Sequence, residues 1–421
     1  MPVRRRRARA ALVLAGVVVA ALVLGAVAAS PGAIPPIPPG HLAFDPALVR
    51  RGAELAALGD CTTCHTANPE HPFAGGVPVA TPFGTIYATN ITPDHDTGIG
   101  TWSSAAFRRA MRQGIDRAGR HLYPAFPYDH FTHATDGDLQ ALYAFLMTRA
   151  PVHAVAPATR LRFPFNHRIL LAGWNWLFLR PGPVPAESAS RNRGAYLVQA
   201  LGHCGACHTP RDAFGAERSG RALDGGQAEG WYAPPLDTHS PAAIRWSVDE
   251  LVVYLRGGVA PEHGTPAGPM RAVAQNLARL SEQDVQSIAA YIHSSMHQGT
   301  APAAVDRRVP TASMPGAAIF AGACAACHAA NAPMTRAGNP PISEPSPVHE
   351  VTPRNVIRIV LDGLPWREGV PQPYMPGFDA ALTDRQLADL LAYLRARFTD
   401  QPPWPHLDDD VHRIRRHGDG S

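Results

Sequence analysis

Outside its first residues the chain has no block of one charge: 38 basic against 34 acidic residues leave a formal net charge of +4 over 421 residues. A nucleic-acid partner would require a basic stripe, and there is none, so that role has no support. Alternating runs of β-branched residues are also missing, and nothing demands a large sheet. The 43 prolines and 37 glycines point instead to short helices joined by long loops. Cysteine is scarce: six are present, and none is left over once they are grouped by spacing.

The chain begins with Arg4, Arg5, Arg6, Arg7 and Arg9, followed by an apolar run from Ala10 to Ala29. This order reads as an export signal, with the arginines kept on the cytoplasmic side and everything after Ser30 facing outward. Ala26-Val27-Ala28 offers a cleavage pattern, while the length of the run also suits an uncleaved anchor. Residues 1–30 are therefore a signal peptide or signal anchor, and the proline-rich residues 31–42 read as a stiff spacer. About 390 residues remain, enough for two or three domains.

An exported chain with an even number of cysteines would ordinarily be read as a disulfide framework. Spacing argues otherwise here. Each cysteine pair is closed by a histidine: Cys61-Thr62-Thr63-Cys64-His65, Cys204-Gly205-Ala206-Cys207-His208 and Cys324-Ala325-Ala326-Cys327-His328. Two thiols three positions apart on one helical turn can add to the two vinyl groups of one porphyrin, and the next residue aims an imidazole at the iron. Three such pentads predict three covalently bound haem c groups, with His65, His208 and His328 as axial ligands.

The pentads mark an internal repeat. A short helix opened by Gly-Ala precedes each one, at Gly52, Gly194 and Gly316. A proline-bearing loop follows, then a middle helix ending at glycine: Phe107 to Gly114, Leu251 to Gly258 and Val356 to Gly363. A last helix is N-capped by Thr135, Ser281 or Thr383, the latter two with an acceptor or carboxylate three residues on. Its apolar residues recur at helical spacing: Leu139, Leu142, Tyr143, Leu146; Val285, Ile288, Ala289, Ile292; Leu387, Leu390, Leu391, Leu394.

This order resembles the class I cytochrome c fold. The resemblance implies an all-α, loop-rich architecture of three tandem domains, each enclosing one haem: residues 43–150, 189–298 and 312–400, joined by linkers 151–188 and 299–311. It also implies that the first and last helices cross where a glycine meets an aromatic residue, pairing Gly52 with Tyr143, Gly194 with Tyr291 and Gly316 with Tyr393. In that family a loop methionine completes the iron's ligands. Met270 lies 12 residues beyond Gly258 and Met375 lies 12 beyond Gly363, and both are expected to be sixth ligands. The same count from Gly114 reaches Phe126, which cannot ligate iron. The distal side of haem one is thus open or filled by another side chain, and His121, His130 and His133 are candidates. Imidazole in place of methionine would make haem one the most reducing of the three.

The segment from Thr81 to Asp94 (TPFGTIYATNITPD), with Thr97-Gly98-Ile99-Gly100 and Trp102, is similar to the first module of triple-haem cytochrome subunits that serve bacterial membrane dehydrogenases. That similarity implies an electron-transfer protein with a catalytic partner of the quinoprotein, flavoprotein or molybdopterin hydroxylase kind, oxidising an alcohol, a sugar acid, an aldehyde or an N-heterocycle. Ubiquinone or a terminal oxidase would be the acceptor, at a membrane surface on the periplasmic side. Phe126 in Tyr-Pro-Ala-Phe-Pro-Tyr leans toward the cytochromes of molybdenum hydroxylases.

The stretch Phe163 to Leu179, with Phe165, Trp174, Trp176 and Phe178, is too short to span a bilayer and too apolar for a solvated tether. It can dock a partner subunit, dip into the membrane interface or pack between modules. Residues 401–421, with Asp408-Asp409-Asp410 and Arg413, Arg415 and Arg416, read as a polar tail without an apolar face, loosely attached. Two other functions fit the pentads: a self-sufficient multihaem enzyme, peroxidase-like, working at haem one, and a free-standing periplasmic shuttle cytochrome. The substrate of a partner enzyme is not written in this chain.

Overall fold

The computed structural model describes residues 16, 31–38, 40, 42–296, 314–336, 340–364 and 375–417. The expected signal at 1–30 and the linker at 299–311 lie essentially outside these residues. The chain divides into two compact units, Met1–Leu55 with Cys64–Val184, and Ala56–Thr63 with Pro185–Ser421.

Helices dominate, and each module repeats one arrangement. Module one runs through the helices Pro46–Leu58, Cys61–His65, Ser104–Gln113 and Asp136–Met147. Module two has Arg193–Gln199, Gly205–His208, Val248–Leu255 and Glu282–Met296. Module three has Pro315–Ile319, Ala325–His328, Arg354–Asp362 and Asp384–Phe398. Sheet is limited to short antiparallel pairings: Pro78–Thr81 with Gly84–Tyr87, and Gly226–Ala228 with Trp231–Ala233.

The last helices start where the caps predicted. Thr135 Oγ1 accepts from the Asp138 amide, Ser281 Oγ from that of Asp284, and Thr383 forms a full capping box with Gln386. The Asp284 carboxylate is held by Arg193 through two 2.8 Å bonds. Arg51 approaches Asp138 at 3.4 Å in module one, so the residue before the crossing glycine ties the first helix to the last in both modules. All twelve periodic apolar residues of the last helices are buried, Val285, Ala289, Leu387 and Leu391 completely.

First and last helices touch backbone to backbone. A Cβ added at Gly52, Gly194 or Gly316 would lie 2.0, 2.0 or 2.1 Å from the carbonyl oxygen of Ala141, Ser287 or Asp389. Four residues on, the same glycines face Cβ of Phe145, Tyr291 and Tyr393. The expected partner in module one was Tyr143, and the register corrects it to Phe145. Tyr143 turns to the other side, where it stacks edge-on with Phe44 and donates its hydroxyl to the Trp102 carbonyl.

Three stretches outside the modules are fastened by hydrogen bonds or packing. The proline-rich residues 31–38 are laid against module one: Ile34 and Ile37 donate backbone hydrogen bonds to Arg117 and Thr101, and Arg109 binds the Gly32 carbonyl. The linker after residue 150 is fastened as well. Asn90 donates to the Val152 carbonyl, and Arg160–Leu161 adds a third strand to the first hairpin. The tail folds into the helix Leu407–His417, with Val411 and Ile414 buried in the core of module three and Trp404 donating to the Glu350 carbonyl. Its apolar face exists after all: Leu407, Val411 and Ile414 follow helical spacing among the charges.

Modules two and three share one unit and are joined by side chains. Asn355 accepts from the Tyr232 amide and donates to the Tyr232 carbonyl, while Arg354 and Arg358 both donate to the Gly230 carbonyl. Beside this joint Glu350 is buried, one oxygen accepting from Asn355. Desolvation pushes its carboxyl up to about 8, against the opposing pull of the Asn355 hydrogen bond and the Arg395 charge.

Gly316→Ala should lower stability by roughly 2–4 kcal/mol, because two backbones must separate, whereas Gly137→Ala, which meets nothing within 4 Å, should leave it nearly unchanged. Chemical denaturation of both variants checks this. A carboxyl that the fold holds protonated stabilises the fold below its unfolded pKa, and that contribution is lost as pH rises through the folded value. Glu350 should therefore make the unfolding midpoint fall between about pH 5 and 8. Glu350→Gln should flatten that slope in thermal melts.

Candidate haem sites

The helix Cys61–His65 takes in the whole first pentad, while the helices Gly205–His208 and Ala325–His328 each start one residue after the first cysteine of theirs, so the sulfurs and the imidazole emerge from adjoining turns. In module three a single π-helical turn, Phe320–Cys324, precedes that helix. Such an insertion is common at functional sites, and nothing in the sequence announced it.

Two imidazoles are fixed by backbone carbonyls. His65 Nδ1 lies 2.6 Å from the Thr89 oxygen and His208 Nδ1 lies 2.7 Å from the Pro234 oxygen, 24 and 26 residues downstream. A carbonyl can only accept, so Nδ1 carries the proton and Nε2 keeps its lone pair. Burial depresses the pKa of His65, His208 and His328, which keeps each ring neutral and able to ligate. Gly75, at φ +79°, donates its amide to the His65 carbonyl, and a Cβ there would sit 2.5 Å from the Thr89 backbone. Glycine at that position thus lets the Thr89 carbonyl come close to the pentad.

No cysteine is joined to another in a disulfide. Burial pushes Cys204 up to about 12 and Cys207 and Cys324 up to about 11, so these sulfurs are neutral rather than thiolates. Among the described residues, none of the three-residue clusters able to hold a metal ion contains a cysteine. The run Pro315–Arg336, which carries the third pentad, is apolar yet only 11 % buried in its most apolar window. By length and composition it could also cross a membrane, but an apolar face at a pentad is what a flat porphyrin would cover. Paired thiols, a neutral imidazole with a free nitrogen and an uncovered apolar face fit covalent haem.

A sequence model of the cytochrome c family matches residues 49–150, 192–295 and 313–397, one region per pentad. The chain belongs to the cytochrome c family. This cytochrome carries three covalently bound haem c groups. Over 392 residues, 90 % of its length, it is 48 % identical to a nicotinate dehydrogenase subunit of Pseudomonas putida, and it spans 33 % of that relative. It is 37 % identical to the gluconate 2-dehydrogenase cytochrome c subunit of Pantoea cypripedii, with 88 % of this chain and 90 % of the relative covered. The alcohol dehydrogenase (quinone) cytochrome c subunit of Komagataeibacter europaeus is 34 % identical, with coverage of 89 % and 85 %.

The expected distal residues occupy unlike settings. Met375 is half-buried against the core of module three, and its backbone pairs with Leu364, just after the middle helix. Met270 sits in the first turn of an additional helix, Pro269–Leu277, rather than in an irregular loop. In module one Phe126 packs in an aromatic group, 5.4 Å from Phe131 and 6.2 Å from Tyr128. Of the nearby histidines, His133 Nδ1 lies 3.1 Å from the Gly182 carbonyl and His130 is half-buried on the short helix Tyr128–Phe131. His121 is buried, and neither ring nitrogen has a hydrogen-bond partner among the described residues. Its backbone bridges Ile115, two residues past the middle helix, as that of Met375 bridges Leu364.

The haem-loaded protein should retain three haems per chain after denaturation and acid extraction, measured as the pyridine haemochrome. Replacing Cys61 and Cys64, Cys204 and Cys207, or Cys324 and Cys327 by alanine should remove one haem each time.

Proposed function

We propose that this cytochrome is the electron-transfer subunit of a dehydrogenase, taking electrons singly from a catalytic subunit and passing them along its three haems to ubiquinone or a terminal oxidase. The observation that carries this reading is the match of three pentad-bearing modules, over nearly the whole described chain, to cytochrome subunits whose names tie them to dehydrogenases. In this reading Cys61 and Cys64, Cys204 and Cys207, and Cys324 and Cys327 hold the porphyrins. His65, His208 and His328 are the proximal ligands, and Met270 and Met375 complete haems two and three. A haem closed on both sides offers no substrate position, so its chemistry is one-electron exchange. The protein's own part is to fix the imidazoles of His65 and His208 through the Thr89 and Pro234 carbonyls.

For haem one, His121 is the sixth ligand best supported, by its burial and its two unpartnered ring nitrogens. His133, by contrast, is engaged by Gly182. The proposed location is the periplasmic side of the cytoplasmic membrane, reached through the N-terminal signal or anchor. The proposed partner is a dehydrogenase of aldehydes or N-heterocycles, supported by Phe126 and by the 48 % identical relative, whose name gives nicotinate as its substrate.

Purification of the native complex tests this. A large catalytic subunit should accompany the cytochrome, and its substrate should reduce the haems only when that subunit is present. The far-red methionine-to-iron band should account for two of three haems, and His121→Ala should alter the third alone. Recovery of the chain as a lone monomer that turns over peroxide would overturn the reading in favour of a self-sufficient enzyme.

A further inference from the structure

The helix Leu170–Phe178 has one face fixed and one face bare. Leu171, Trp174 and Leu179 are buried, and Asn175 accepts from the Tyr128 hydroxyl at 2.6 Å and donates to the Gln113 carbonyl. Held this way, the helix cannot roll its other face inward. That face presents Ile169, Leu170, Trp176 and Leu177, with Trp176 82 % exposed, and the preceding turn adds Phe163 and Phe165, with Phe163 79 % exposed. These six are most of the large apolar side chains that the described structure leaves open, and they fall within fifteen residues of sequence.

The segment that carries the patch has formal charge of one sign. No aspartate or glutamate occurs between Asp138 and Glu187, while Arg149, Arg160, Arg162, Arg168 and Arg180 do. Arg160 and Arg162 are exposed, and no carboxylate among the described residues pairs with them. The chain contains no lysine, so every cation here is a guanidinium. A protein partner would ask for hydrogen-bonding groups interspersed with the apolar ones. The outward face of this helix offers none except the indole of Trp176. Aromatic and aliphatic side chains flanked by arginine are what the headgroup boundary of a bilayer accepts. Nine residues are far too few to cross the hydrocarbon, for which about 20 are needed.

We propose that Phe163, Phe165, Ile169, Leu170, Trp176 and Leu177 form an in-plane docking surface for a bilayer containing anionic phospholipid, with Arg160 and Arg162 engaging the phosphates. The helix lies along the membrane and seats module one against it, independently of the N-terminal segment. The inference rests on the location proposed above. The full-length, exported protein is the material for the test, and its haem content is measured first, so a chain that never left the cytoplasm is recognised before any lipid is added.

Hydrogen exchange of the holoprotein is followed with vesicles of phosphatidylcholine alone and with vesicles that also contain phosphatidylglycerol. Amides 163–179 should gain protection on the anionic vesicles and much less on the neutral ones. Phe163→Ser with Trp176→Ser should weaken vesicle binding through this site roughly tenfold, read as the lipid concentration giving half-maximal protection. Arg160→Gln with Arg162→Gln should remove the preference for the anionic lipid. Val351→Ser, which alters an exposed apolar residue on module three, should change neither. Protection confined to residues 1–30 would overturn the proposal. So would protection of 163–179 that appears only on adding the catalytic subunit or on raising the protein's own concentration, since a protein rather than a lipid would then occupy the face.

Discussion

Each module is closed where a glycine lets two helix backbones meet. With the carbonyl of Ala141, Ser287 or Asp389 about 2 Å from where a Cβ would stand, no other residue fits unless the helices part. This contact sets the direction of the first helix, and the pentad is that helix's continuation. Its placement therefore decides where two sulfurs and an imidazole emerge. The arginine before the glycine in modules one and two adds a charged tie to the third residue of the last helix. A crossing that is both close and tied cannot slide along the helix axis.

From the crossing outward, the modules spend few residues on a core of their own. The last helix contributes a stripe of four, the middle helix a few more, and the half-buried pentads border on apolar surface that other side chains do not fully cover. A porphyrin supplies the missing layer. The imidazoles of modules one and two show how far the polypeptide is already organised for it: each Nδ1–H is committed to a carbonyl, leaving the outward nitrogen with its lone pair.

How much of this was legible in the sequence depends on whether the signal was local. The pentads, the capping residues Thr135, Ser281 and Thr383, and the twelve periodic apolar positions were readable, because each is decided within one or two turns. The crossing partner in module one was misread as Tyr143, since an aromatic two residues away in Phe145 satisfies the pattern equally and only the backbone contact distinguishes them. The C-terminal helix was hidden by its charges. Asp408 to Asp410 and Arg413 to Arg416 drew attention from the spacing of Leu407, Val411 and Ile414, although Arg415 is itself structural, binding Asp384 and the Leu382 carbonyl. The carbonyls of Thr89 and Pro234 could not have been named from sequence, because a backbone acceptor leaves no trace in residue identity. The strand Arg160–Leu161 was unreadable for a similar reason: two residues carry no period.

Electron transfer between haems depends steeply on their separation, so a relay benefits from a joint that cannot flex. The joint between modules two and three meets this need in a specific way. Among the described residues the short strand Trp231–Ala233 has one edge without a strand partner, and the Asn355 side chain presents an acceptor and a donor to Tyr232 as a neighbouring strand would. Arg354 and Arg358 then converge on the single Gly230 carbonyl, from which Arg358 also reaches the Trp231 ring at 5.7 Å. Every side chain in this set comes from the first turns of one helix, Arg354–Asp362, whose opposite side carries Val356, Ile357 and Val360 into the core of module three. A displacement of the hairpin would have to break the polar set or unpack that core, and this makes the hairpin of one haem module a structural extension of the next.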